Sequence, residues 1–191
     1  MSYLVRELKP AFERFVEPLV NLLQKLGVTP NLITVAGLIL TALGSLALYY
    51  GSNLFSFLLL LAGALSDAFD GSLARRLGKT SSFGALLDSL SDRISDAMPF
   101  IAIALSSQDR TLSLVALLAL LFSYTVSYTK ARAEGLGYEM KVGLFERPER
   151  WILLLVGIFF DMLFLVLTII AFGSLLTTIQ RVYVFKKLAR R

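Results

Sequence analysis

The sequence predicts an all-α, polytopic membrane protein: six transmembrane helices preceded by an N-terminal amphipathic helix lying at the interface. Three observations predict it. Of the 191 residues, 56% are hydrophobic and only 17% charged, and the mean hydropathy is +0.71. That leaves too little polar surface for a soluble domain of this length. Apolar runs of membrane-crossing length recur between short polar turns. Lysine and arginine gather on one side of those runs.

Residues 1–27 place Leu4, Leu8, Phe12, Phe15, Leu19, Leu22 and Leu26 at helical spacing, with Arg6, Glu7, Lys9, Glu13, Arg14 and Glu17 between them. That mixture reads as a helix lying on the membrane. The charges interrupt any signal-peptide core. Gly27 and Thr29-Pro30-Asn31 end it. The six spans follow at about 31–50, 54–77, 83–106, 110–134, 147–160 and 162–186. Gly51-Ser52-Asn53, the Gly78–Ser82 stretch, the loop 135–145 with its three glycines, and Asp161 punctuate them. The 191 residues are expected to form a single membrane domain with no separate soluble part. Gly37 and Gly44 on the first span read as packing residues.

With this layout, 18 of the 19 Lys and Arg residues lie on one side, and only Arg110 on the other. Positive charge marks the cytoplasmic side, so both termini are expected there. The net charge of +5 is explained by the membrane rather than by nucleic acid, and no nucleic-acid partner is expected. The chain has no Cys and no His, which excludes a zinc-type N/S site and a histidine base.

Four carboxylates stand out. Asp67 and Asp70 lie near the end of the second apolar segment, and Asp88 and Asp92 near the start of the third. A carboxylate at membrane depth costs a few kcal/mol, so such residues mark function. Asp67 and Asp70 are spaced i,i+3, whereas Gly84, Asp88 and Asp92 step by four, so each set shares a helix face. A tight turn makes the two helices antiparallel neighbours whose acidic faces can meet. Four such charges repel unless a cation neutralises them. Hard oxygen ligands suit Mg²⁺, Mn²⁺ or Ca²⁺, and two such ions suit phosphoryl-type chemistry. Gly71, Ala74 and Gly84 leave room on these faces. The plainer alternative is a cytoplasmic helix end salt-bridged to Arg75, Arg76 and Arg93. Asp96 continues the stripe by one turn and is expected to support Asp92 or pair with Arg93.

The pattern Asp67-x-x-Asp70-Gly71-x-x-Ala74-Arg75, eight residues, Gly84-x-x-x-Asp88-x-x-x-Asp92 resembles the signature of the CDP-alcohol phosphotransferase family at every fixed position. The resemblance covers essentially the whole chain. It implies transfer of a phosphatidyl-like group from a CDP-linked lipid to an alcohol, with release of CMP. It further implies that Asp67, Asp70, Asp88 and Asp92 hold Mg²⁺ or Mn²⁺, two ions in all, and that Asp92 is the general base. Gly71, Ala74, Arg75 and Gly84 would lie along the CDP-lipid, as would Pro30, Asn31 and Thr34, which resemble the family's first-helix segment. For those three, a helix start capped by Thr29 or Asn31 is the plainer reading. Family members are commonly homodimers, which sets the same expectation here.

The segment Ser127–Gly135 with Gly143–Arg150 is similar to the corresponding region of phosphatidylinositol-phosphate synthases and their archaeal counterparts. This implies inositol phosphate as acceptor, with CDP-diacylglycerol or CDP-archaeol as donor. Lys130, Arg132, Arg147, Arg150 and Arg181 are the candidates for its phosphate, since arginine's planar fork suits that group. Positive-inside topology and lipid headgroup contact explain basic residues there equally well. Glycerol phosphate would need a similar pocket, so phosphatidylglycerophosphate synthase is the alternative enzyme. Outside the enzymes stand a cation transporter, which lacks further acidic residues along a pathway, and a non-catalytic scaffold. The active site is expected at the cytoplasmic face of the cell membrane.

Overall fold

The computed structural model describes residues 17–77 and 81–190, without the side chains of Arg75 and Arg76. The segments are α1 (17–25), α2 (Pro30–Tyr49), α3 (Asn53–Leu77), α4 (Ser82–Ser106), α5 (Arg110–Gly135), α6 (Arg147–Phe159) and α7 (Leu163–Leu188). Among the described residues there is no strand. The all-helical class and the order of elements match the expectation from sequence, with helix ends shifted by no more than a residue or two. The first half of the expected interfacial helix, residues 1–16, lies outside the described residues.

The helix ends have a common cause. Gly27, Gly51 and Gly137 all take positive φ. After α1, Gly27 N–H donates to Gln24 O and Val28 N–H to Leu23 O. After α5, Gly137 N–H donates to Glu134 O and Tyr138 N–H to Ala133 O. Both are Schellman closures, in which a left-handed residue lets two N–H groups reach back to the last free carbonyls. Val28 and Leu23 also pack together around Val20, Ile33 and Leu73, the apolar contact that accompanies this closure. At the end of α6 the left-handed position falls on Asp161, with φ 56°, and Met162 N–H donates to Gly157 O at 2.8 Å.

The chain divides into two compact units that part within α4, between Ala102 and Ile103. In the first unit, α2 and α3 pack along their lengths. The buried face of α2 is Ile33, Gly37, Thr41, Gly44, Ser45 and Leu48, and Leu32, Ile39, Leu43 and Leu46 on the same helix are exposed. Between Ile33 and Leu48 small residues thus face protein, while the large apolar ones face outward. That arrangement suits helices surrounded by lipid, where close backbone approach replaces the hydrophobic drive of water. A Cβ on Gly37 would come within 2.8 Å of Ser66 Cβ, and one on Gly44 within 2.9 Å of Leu60 Cγ. Both glycines are packing residues. Two hydroxyls along this seam find acceptors on their own helix: Thr41 donates to Gly37 O and Ser66 to Ala62 O, both at 2.9 Å.

The second unit contains α5, α6, α7 and the last turn of α4. Asp109 caps α5 by accepting from Thr111 N–H at 2.8 Å. The hydroxyls of Thr125 on α5 and Thr178 on α7 lie 2.9 Å apart. α6 packs on α7 so closely at Gly157 that a Cβ there would meet Val166 at 3.0 Å.

Among the described residues, four helices are long and apolar enough to cross a membrane: α2, residues Asn53–Ala74 of α3, α5 and α7. The other two expected spans differ for physical reasons. α4 has the length, at 25 residues, but carries Asp88, Asp92, Arg93 and Asp96. α6 has 13 residues and so measures about 20 Å at 1.5 Å per residue, short of a hydrocarbon core about 30 Å thick.

Candidate functional site

The first unit brings three of the four motif aspartates together. Asp67 and Asp70 lie one turn apart on α3, and Asp88 comes from the second turn of α4. Each offers a carboxylate oxygen, and these oxygens all lie within 4.8 Å of one another. Asp70 is 4% exposed. Ionised carboxylates 4.8 Å apart repel by about 3 kcal/mol per pair at an effective dielectric constant of 20. Bringing three together is therefore costly unless positive charge, such as a bound cation, offsets the repulsion. An all-oxygen donor set from carboxylates fits a hard divalent ion, and the chain's lack of Cys and His leaves no softer ligand.

Asp92 lies one turn further along α4 and is not among the three whose oxygens converge. Its Oδ2 sits 3.8 Å from Arg93 Nη1, and Arg93 also donates to Ser89 O at 2.9 Å. The fourth aspartate is thus half-buried next to a guanidinium at the rim of the cluster. Asp96, one turn beyond, is buried.

The α2 residues expected along the nucleotide converge on the same place. Thr34 Oγ1 donates to Asp70 Oδ2 at 2.5 Å. Pro30 occupies the first turn of α2 with Thr29 as N-cap, and that cap makes no side-chain hydrogen bond. Gly84 lies beside Asn31, whose Oδ1 would be 3.6 Å from a Cβ at that position. The start of α4 is fixed there by Ser81, whose hydroxyl accepts from Gly84 N–H at 3.0 Å. Gly71 and Ala74 are half-buried on α3 around the fully buried Leu73. The side chain of Arg75 lies outside the described residues.

The expected acceptor residues belong to the second unit. Lys130 and Arg132 lie near the end of α5, Arg147 and Arg150 in the first turn of α6, and Arg181 in the last third of α7. Arg181 is 2% exposed. Its guanidinium donates to Val142 O through Nε at 2.9 Å, to Val126 O through Nη1 at 2.5 Å and to Glu146 Oε1 through Nη2 at 2.9 Å. Arg181 therefore ties α7 to α5 and to the loop before α6. Gly143 makes this possible, since a Cβ there would lie 2.8 Å from both Arg181 Nη2 and Glu146 Oε1. Phe145 N–H donates to Thr177 Oγ1 at 2.9 Å, fastening the same loop again. Glu149 accepts from Glu146 N–H at 3.0 Å, and Arg147 lies over the Trp151 ring, 5.9 Å from its centroid.

Sequence reasoning missed Glu146 and the role of Thr34 toward Asp70. The one available sign was that Glu146 stands directly before Arg147-Pro148, as a helix-start residue.

Converging carboxylates, set among helices long and apolar enough to cross a membrane, define a class: integral membrane proteins with a hard-cation site at a helix end. Residues 27–184 match the CDP-alcohol phosphatidyltransferase family. The chain belongs to that family and is a transferase of phospholipid biosynthesis. It is 38% identical to the archaetidylinositol phosphate synthase of Pyrococcus horikoshii, over 96% of this chain and 97% of that one. The crystal structure of Mycobacterium tuberculosis phosphatidylinositol phosphate synthase with CDP-DAG bound is similar, with TM-score 0.81 and 32% identity over 90% of this chain and 94% of that one. The same enzyme in complex with manganese and citrate gives TM-score 0.80 and 32% identity, over 88% and 87%.

Proposed function

We propose that the protein transfers a phosphatidyl or archaetidyl group from a CDP-linked lipid to a hydroxyl of inositol phosphate, releasing CMP. The observation that carries the reading is the convergence of Asp67, Asp70 and Asp88 within 4.8 Å, a hard-cation site where α3 ends and α4 begins. The similar proteins named above support the choice of acceptor. Asp67, Asp70 and Asp88 would hold divalent ions, Mg²⁺ or Mn²⁺, with Asp92 completing a two-ion set. When bound, such ions supply positive charge to the diphosphate and to the departing CMP.

The chain's own residues do the rest. Asp92 takes the proton of the attacking hydroxyl. The acceptor oxygen bonds to the phosphorus that bears the lipid, and the P–O bond between that phosphorus and CMP breaks. Pro30, Asn31, Gly71, Ala74, Arg75 and Gly84 line the CDP moiety. Lys130, Arg132, Arg147 and Arg150 offer charge to the acceptor phosphate. Arg181, held by Val126, Val142 and Glu146, contributes to that site by fixing the loop before α6. The remaining two expected spans, the cytoplasmic placement of both termini and a homodimeric assembly belong to the same reading.

The test is an acceptor panel with purified protein, CDP-lipid and Mg²⁺, in which CMP release is measured with inositol phosphate, glycerol phosphate, inositol, serine and glycerol. Release that depends on inositol phosphate is the expected result. Release with glycerol phosphate alone would move the assignment to phosphatidylglycerophosphate synthesis, and no release with any acceptor would sink it. Asp92→Asn is expected to abolish turnover while CDP-lipid still binds; retained turnover would remove Asp92 as the base.

A further inference from the structure

Thr34 lies outside the acidic motif and 36 residues from Asp70 in sequence, yet its hydroxyl meets that carboxylate. Its oxygen is 2.5 Å from Asp70 Oδ2 and 3.2 Å from Pro30 O. A hydroxyl has a single hydrogen to give. A threonine in a helix ordinarily gives it to the carbonyl four residues back, as Thr41 does to Gly37 O at 2.9 Å. At Thr34 the shorter distance belongs to the carboxylate, within the range of charge-assisted O–H···O⁻ bonds. The local bond of α2 is given up in favour of one to α3.

We infer that Thr34 is a positioning residue for the metal-binding carboxylates, orienting Asp70 before any ion arrives. An aspartate carboxylate swings freely about its last bond, and the neighbouring charges of Asp67 and Asp88 push it away from the cluster. A donor anchored on a separate helix holds one oxygen, and with it the direction of the other. Asp70 is 4% exposed, so water cannot readily stand in for that donor. Groups that hold metal ligands in place from behind are worth tens of fold in affinity. Thr34 sits one turn after Pro30 at the start of α2, and Pro30 fixes the helix start and therefore the hydroxyl. The inference rests on Asp67, Asp70 and Asp88 being a metal centre. It gives Thr34 a task distinct from touching the nucleotide.

The two tasks separate experimentally. Mn²⁺ is titrated into the full-length protein in detergent, without CDP-lipid, and free Mn²⁺ is read by electron paramagnetic resonance. KM for CDP-lipid is measured alongside. Thr34→Val removes the donor and keeps the side-chain shape, Thr34→Ala repeats the loss should valine disturb packing, and Thr34→Ser restores the hydroxyl. The expected result is Mn²⁺ binding weakened about tenfold or more in the valine and alanine variants, and within about twofold of wild type in the serine variant. Unchanged Mn²⁺ affinity with a raised KM for CDP-lipid would overturn the inference and leave Thr34 as a nucleotide contact. Wild-type protein that takes up no Mn²⁺ would overturn the metal centre itself, and with it this role; that outcome appears before any substitution is made.

Discussion

Replacing Glu146 by alanine tests the account of the second unit most severely. Arg181 is 2% exposed and Glu146 15% exposed, with Nη2 and Oε1 2.9 Å apart. At that distance and an effective dielectric constant of 20, the attraction is about 6 kcal/mol. Desolvation of the two groups offsets much of it, but removing one partner leaves a guanidinium buried beside two carbonyls with its carboxylate gone. Breaking a buried pair in this way costs about 3 kcal/mol at the low end of the usual range. For a chain of 191 residues, that corresponds to a fall of roughly 6–12 °C in melting temperature. The assay is thermal unfolding in detergent, followed by the fluorescence of Trp151, which is buried on α6. Glu146→Gln keeps an acceptor oxygen and should lose less than half as much. Glu146→Leu combined with Arg181→Met should recover part of the loss, because no charge is left buried. A Glu146→Ala melting temperature within about 2 °C of wild type, under 1 kcal/mol on the same scale, would refute the reasoning.

Five further outcomes follow from the same geometry. Gly37→Ala should lower stability by about 1–3 kcal/mol, because its Cβ would press on Ser66 at 2.8 Å. Gly135→Ala, whose Cβ would meet nothing within 4 Å at the end of α5, should raise stability by up to about 1 kcal/mol; both are read as melting shifts in detergent. Asp88→Asn should abolish Mn²⁺ uptake and bring CMP release to background, since one of three converging oxygens loses its charge. Chelation by EDTA should stop CMP release, and excess Mg²⁺ or Mn²⁺ should restore it. Asp161→Gly should add about 1 kcal/mol by relieving a left-handed backbone.

Helix order and helix ends were legible because turn chemistry is local. Gly27, Gly51 and Gly137 announce themselves as residues, and the left-handed closures they allow involve only neighbours. The acidic face was legible because spacing on a helix dictates which side chains share it. Spacing does not dictate which oxygens converge. Asp92 lies on the same face as Asp88, yet one turn of α4 carries it out of the group of three. Nor does spacing show a bond across 36 residues, such as that from Thr34 to Asp70. The basic residues were legible as a set but not as individuals. Arg181 looked like a ligand for phosphate, whereas three protein oxygens already surround it. α6 begins and ends where its apolar run implied, but at 13 residues it is the shortest of the expected spans.

The shortness of α6 bears on how the chain is made. At 13 residues, about 20 Å, it cannot hold a membrane-crossing position alone while the ribosome is still at work. Only three residues separate it from α7, with Asp161 setting the reversal. The two form a tight hairpin, packed so closely that a Cβ on Gly157 would meet Val166 at 3.0 Å. Arg181 lies 35 residues after Glu146 in sequence, so the charge of Glu146 stays uncompensated by it until most of α7 has been made. Assembly of the basic half is thus timed by α7, and a nascent chain arrested before Arg181 should leave the loop before α6 open to protease.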